Sequence, residues 1–305
     1  MFKMNWMKTI AIGTILALFL TTSSSVFASN GNNDDSINEK FGLPIVVYGE
    51  ALSAQQKEEV RSLLEVKDTN KVTEITVTGK DLVTYIKDDA RSNMYSSAKI
   101  TRKENGEGLV IHLATPENIT EVTKEMYANA LLTAGIQDAA VDVASPIKVS
   151  GHSALVGIYK AYDENQTVEL NKDRTEVANE ELSLATNLAK KDGLDQDKVS
   201  ELLTEIKKEI ADQKPATKEE IENIVDNKLR SLELQLNSQD RQLLIDLFEK
   251  MRNLNITFDN VQSQLDDLSK TIEKRINETV GDSGFIQKVS DFFKNLIDGI
   301  KNIFS

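Results

Sequence analysis

The stretch SGHSALVG, residues 150–157, sets a histidine beside a serine ahead of an apolar run, the local pattern of a serine-hydrolase nucleophile elbow. In that elbow a strained strand-to-helix turn exposes the hydroxyl. The place two residues on must be small, because the backbone passes closely there. Leu155 fills that place here. Such a hydrolase also needs a histidine base later in the chain, and His152 is the last histidine present. The chemistry fails on both counts, so Ser150 or Ser153 is expected to cap a helix instead.

The other histidine is His112. Leu109, Ile111 and Leu113 alternate with it, which places it on the outer face of a strand. In the strand order inferred below that strand is central, with Glu74, Thr76, Lys99 and Thr101 as expected neighbours. No base–nucleophile pair can be completed around it, so the expectation is a solvated histidine on a polar open face. Two histidines and no cysteine leave a transition-metal site without a ligand set. Calcium would use carboxylates, but DGLDQDKVSELL (residues 192–203) lacks the alternating ligands, central glycine and closing glutamate of a calcium loop. Asp195 and Asp197 are expected to open a helix. No catalytic, cofactor-binding or metal-binding residue is nominated, and no cofactor is expected.

The elements that would position these residues fall into two textures. A short strand at residues 45–48 precedes a helix opened by the capping box of Ser53 and Gln56. KVTEITVT alternates Ile75 and Val77 against polar residues, a half-buried strand, and a short helix carrying Leu82, Tyr85 and Ile86 follows. SSAKITRKENGEGLVIHLA predicts a hairpin turning at Asn105-Gly106, with Ala98, Ile100, Leu109, Ile111 and Leu113 inward. Thr115 and Pro116 are expected to start a helix that buries Val122 and Met126 and ends at Gly135. A strand with Val141 and Val143 inward and Asp142 outward closes the unit. This βαββαβ order predicts a ferredoxin-like module, with its two helices on one face of the sheet.

From residue 171 the strand signals stop. Helices are expected around residues 175–190, then with Val199, Leu202, Leu203, Ile206 and Ile210 on one face, then after Pro215 with Thr217 and Glu220 as capping box. From Ser238 the apolar positions Leu244, Leu247, Met251, Leu254, Phe258, Val261, Leu265, Leu268 and Ile272 alternate by three and four. That rhythm predicts one long coiled-coil-like helix to Val280, with NLNITF as its weak point. GFIQKVSDFFKNLIDGIKNIFS then carries Phe285, Phe292, Phe293 and Phe304 on one stripe, to dock on the helices or to lie on a membrane surface.

The first residues have the three parts of a secretory signal. Lys3 and Lys8 precede an apolar core at residues 10–20, and Val26 and Ala28 supply the small residues for cleavage after Ala28. The core is short of the roughly 20 apolar residues that a membrane span needs. An exported chain without cysteine points to a Gram-positive rather than a eukaryotic source. The formal charge is −13, and −15 once Lys3 and Lys8 leave with the leader. That sign, without a basic patch, excludes nucleic acid as a partner.

The expected class is thus α+β: residues 1–28 a signal peptide, 29–41 a disordered leader, 42–165 the ferredoxin-like α/β domain with flanking helices, 166–281 an all-α domain, and 282–305 a C-terminal amphipathic helix. VYGEALSAQQ and TAGIQDAAVDVASPIKVSGHSALVGIYKAY resemble an uncharacterised exported family of Firmicute bacteria, that of the Bacillus protein YpuA. The resemblance implies an envelope setting and carries no residue roles. The function expected is an exported, non-enzymatic binding or scaffold protein with a cell-wall or envelope component as partner. Two alternatives stand beside it: a cell-wall glycan hydrolase, which needs only two suitably spaced carboxyl groups, and a membrane-surface protein attached by residues 282–305. Neither oligomeric state nor ligand is legible.

Overall fold

The computed structural model describes residues 41–87, 89–164, 170–190 and 194–280. The signal peptide, most of the leader and the C-terminal amphipathic stretch expected from the sequence lie outside the described residues. The chain folds as α+β. Its elements in order are β1 (Ile45–Gly49), α1 (Ala54–Leu63), β2 (Thr73–Val77), α2 (Gly79–Ile86), β3 (Ser97–Arg102), β4 (Leu109–Leu113), α3 (Lys124–Ala134), β5 (Ala139–Ala144) and α4 (His152–Glu164). The helices α5 (Lys172–Lys190), α6 (Gln196–Gln213), α7 (Lys218–Ser231), α8 (Ser238–Asn253) and α9 (Gln262–Val280) follow.

The five strands form one mixed sheet in the order β2-β1-β3-β5-β4. β3 runs antiparallel to both its neighbours, and β1–β2 and β4–β5 are parallel pairs. This corrects the ferredoxin-like order. Every strand expected inside that module forms, and Gly106 turns the β3–β4 connection at φ +89°, but β5 inserts between β3 and β4, so they never pair as a hairpin. The physical reason is the crossover: α3 carries the chain back over the sheet, and β5 finds both hydrogen-bonding edges of its slot at once, antiparallel to β3 and parallel to β4.

Two strand–helix–strand crossovers, β1-α1-β2 and β4-α3-β5, step the same way along the sheet with their strands pointing the same way. Their helices nevertheless lie on opposite faces. α3 packs with α2 and α4 over Val47, Val77, Ile100, Val141 and Val143, whereas α1 packs Val60 and Leu64 on Val46 and Tyr48. The two crossovers therefore have opposite hands, and one has the left-handed sense that connections of this kind nearly always avoid. The outcome is one face fully roofed by helices and a second face roofed by α1 alone.

Caps set most helix ends. Ser53 with Gln56 and Thr217 with Glu220 form capping boxes, Asp195 opens α6, and Gly135 closes α3 at φ +93°. The start of α3 differs from expectation. Thr123, not Thr115, is its cap, bonding Met126 N at 3.2 Å. Thr115 is buried and accepts from Ser145 N at 2.9 Å, which ties the turn after β4 to the end of β5.

α5 lies beside α6 and α8, and α7 closes the ring between α6 and α8. Their inward side chains, among them Leu182, Leu203, Val225, Leu244 and Phe248, join one apolar core that continues through α3 and α4 to the sheet. The long helix expected from residue 238 to 280 is two helices. Asn255 takes the left-handed conformation (φ +53°), Ile256 N bonds Met251 O at 3.0 Å and Asn255 N bonds Arg252 O at 2.9 Å. This is a Schellman closure, which asparagine tolerates better than most residues. It redirects the chain so that α8 stays in the ring while α9 packs along α6 from outside.

Candidate functional site

The register places one residue from each strand in a row across the α1 face: Glu74, Val46, Lys99, Asp142 and His112, in sheet order. Strand alternation makes this inevitable once the order is set, because residues in register on neighbouring strands point to the same side. At the covered end, Arg61 of α1 forks onto Glu74 (2.9 and 3.0 Å) and the Tyr48 hydroxyl donates to Glu74 at 2.7 Å. Burial opposes the Glu74 charge, but Arg61 and Tyr48 outweigh it and hold the carboxyl below its ordinary pKa. Burial, then the bond to Glu74, push the Tyr48 hydroxyl up.

The centre of the row is Lys99. Its ammonium donates to Leu64 O at the C-terminal end of α1 (2.6 Å) and pairs with Asp142 at 3.1 Å. A cation suits that position, where the last carbonyls of a helix gather partial negative charge. Asp142 in turn meets His112 Nδ1 at 3.2 Å. Here α1's cover ends. The His112 side chain is 66% exposed and Val110, one step along the same face, is 51% exposed. Thr101 and Ala140 complete the open area, in register with each other and with Val110.

This corrects the setting of His112. It stands on the edge strand β4, not a central one, and its partner is Asp142 rather than the expected Glu74, Thr76 or Thr101; Lys99 reaches it only through Asp142. The sequence placed Asp142 outward but held no signal that β5 would lie beside β4. Chemically, the carboxylate orients the imidazole as in an acid–base dyad. Yet among the described residues no hydroxyl bonds the ring, so the dyad has nothing to activate.

His152 and Ser153 open α4, with Gly151 rather than a serine at the cap position; Ala154 N bonds Gly151 O at 3.2 Å. His152 Nε2 faces Thr186 Oγ1 of α5 at 3.2 Å. Ser153→Ala should change stability by less than about 1 kcal/mol. A fluorophosphonate probe should leave Ser153 unlabelled, and labelling there would restore the nucleophile reading.

Carboxyl pairs are the remaining chemistry. Glu201 of α6 is pushed up to about 7 by burial, then by the Glu273 and Glu205 charges. It lies 7% exposed beneath α9 rather than in a cleft. The groove between α5 and α8, about 390 Å³, is floored by Leu184, Leu243 and Leu247, with Glu180 and Asp246 on its open rim. A cleft of about 420 Å³ beside the start of β5 carries Arg102 between the Phe41 and Tyr162 rings, and Asp138 is the one carboxyl among the described residues that line it. Neither holds a buried carboxyl pair. Among the described residues no group of three or more His, Cys, Asp or Glu could hold a metal ion, and no helix is long and apolar enough to cross a membrane.

Over residues 48–268 the chain matches the family described as protein of unknown function, DUF1002. It is 37% identical to the uncharacterized protein YpuA of Bacillus subtilis (strain 168) over 269 residues, covering 86% of this chain and 90% of that one. No solved structure matches. The chain therefore belongs to the DUF1002 family, whose function is not established.

Proposed function

We propose that this is an exported cell-envelope protein that binds a wall component through the open half of its sheet, and that it carries out no catalysis. One observation carries the reading. α1 roofs the β2 and β1 part of the second face and reaches Lys99 of β3, and it leaves Val110 and His112 of β4 exposed, with Thr101 of β3 and Ala140 and Asp142 of β5 half-buried beside them. Exposed apolar and polar groups on a rigid sheet suit contact with a ligand. The leader residues support export, and the net negative charge suits partners other than nucleic acid. The helices α5–α9 serve as the scaffold.

Incubating the mature protein with purified peptidoglycan tests binding and hydrolysis together. Co-sedimentation without soluble fragments is expected. Val110→Asp with His112→Ala should weaken co-sedimentation at least tenfold, which is about 1.4 kcal/mol, and leave the melting temperature unchanged because both side chains stand in solvent. Undiminished binding by this variant would refute the site. Released glycan fragments would instead favour a carboxylate-dependent hydrolase.

A further inference from the structure

We propose that α9 is a proton-operated strap, docked on α6 while Glu201 is protonated and lifted when that carboxyl ionises, uncovering the edge of β4. α9 packs along α6 and the turn that precedes it, with Leu265, Ser269, Ile272 and Ile276 as its buried row. Asp266 with Lys208, Ser269 with Glu205 and Gln262 with Asp212 add polar ties to α6, and two more side chains reach further. The Gln264 Oε1 accepts the edge amide of Leu109 at 2.9 Å, and Arg275 bonds both carboxylate oxygens of Glu125 in α3 and Asp197 of α6 (3.0 Å). Leu109 begins β4, so the same helix that covers α6 also closes one end of the open strand edge.

Glu201 lies in the seam. It faces Lys198 and Glu205 from its own helix and Glu273 from α9. Of the nearby cations Lys198 offsets the Glu201 charge in part, while the others pair elsewhere: Lys208 with Glu205 and Asp266, Lys228 of α7 with Glu205 and Glu209, and Arg275 with Glu125 and Asp197. The Ser269 hydroxyl is spent on Glu205 at 2.8 Å. Among the described residues no hydrogen bond reaches the Glu201 carboxyl. An ion there is largely desolvated, without a hydrogen bond and close to two like charges that Lys198 offsets only in part, whereas the neutral acid is tolerated.

The sign follows from linkage. The docked seam raises the Glu201 pKa from 4.5 to about 7, so across that window the docked state holds a proton that the lifted state releases. Docking is therefore fully favoured below about pH 4.5, weakens as pH rises to about 7, and levels off above. The strap needs no ligand on the sheet face and stands whether or not that face binds the wall.

Hydrogen exchange on the full mature chain at pH 5.5 and pH 8.0, corrected for intrinsic rates, reads it directly. Peptides from α9 and from β4 should lose roughly 30-fold of their protection at the higher pH, the part of the Glu201 linkage that falls between these two pH values, while α5 and α8 stay unchanged. Glu201→Gln should keep α9 protected at both pH values. Glu273→Gln, at an exposed position, should lose less protection between the two pH values than the parent, because with one like charge gone the ionised Glu201 is less penalised in the docked seam. Equal α9 protection at the two pH values in the parent, a Glu201→Gln chain that still loses it, or a Glu273→Gln chain that loses at least as much as the parent would each overturn the proposal.

Discussion

Glu181→Leu or Lys207→Met, made singly, should each lower stability by about 3–5 kcal/mol, because each leaves its partner buried without a counter-charge. The two side chains are 1% and 0% exposed and meet at 2.5 Å where α5 and α6 pack against α3. Lys207 also donates to Asn129 O at 2.8 Å, and the Thr133 hydroxyl donates to the second Glu181 oxygen at 2.6 Å. Burial pulls the Lys207 ammonium below its ordinary pKa while Glu181 opposes that pull. The neighbouring Tyr159 hydroxyl, buried without a hydrogen-bond partner, is held well above its ordinary pKa by burial first and by the Glu181 charge second. The double variant should recover part of the loss, since no lone charge remains, but not all, since Asn129 still lacks its donor. Urea titrations of the three variants measure this. Single variants within about 1 kcal/mol of the parent would show that the pair is not what joins these helices.

That pair illustrates where sequence reading stops. Lys207 and Glu181 each sit in a stretch whose polar residues look like ordinary solvated helix positions, and only the packing of α3 on α5 and α6 turns them inward. Local signals fared better. The alternation around Ile75 and Val77, the capping boxes at Ser53 and Thr217 and the stop at Gly135 depend on residues within a few places of each other, and each is observed. Strand order depends on which edge β5 meets after a long crossover, and its alternation is equally satisfied beside β3, beside β4, or between them. The same ambiguity hid the candidate site, because Asp142 becomes the partner of His112 only when β5 and β4 are neighbours. The heptad rhythm across residues 244–272 was real on both sides of Asn255. Periodicity reports which faces are apolar, not whether the helix between them is continuous.

Two glycines that no local pattern marks should matter nearly as much as the buried pair. A Cβ on Gly49 at the end of β1 would stand 2.1 Å from Met94 O, and one on Gly79 at the start of α2 would stand 2.0 Å from Ala90 O. Both obstacles are backbone of the segment that leads from α2 into β3, so no side chain can swing aside. That segment is itself pinned: Ala51 N bonds Met94 O at 2.9 Å, and the Met94 side chain is buried in the core. Gly49→Ala or Gly79→Ala must therefore push the crossing strand off both anchors, a loss of at least about 2–3 kcal/mol. The melting temperature should fall by roughly 4–12 °C. Gly106→Ala separates this steric clamp from simple backbone strain. Its φ is +89°, but no atom lies within 4 Å of the added carbon. It should therefore lose only about 1–2 kcal/mol, the penalty of a left-handed backbone. Gly49→Ala and Gly79→Ala chains that melt no lower than Gly106→Ala would mean that the crossing segment is loose and that the two glycines are not clamping it.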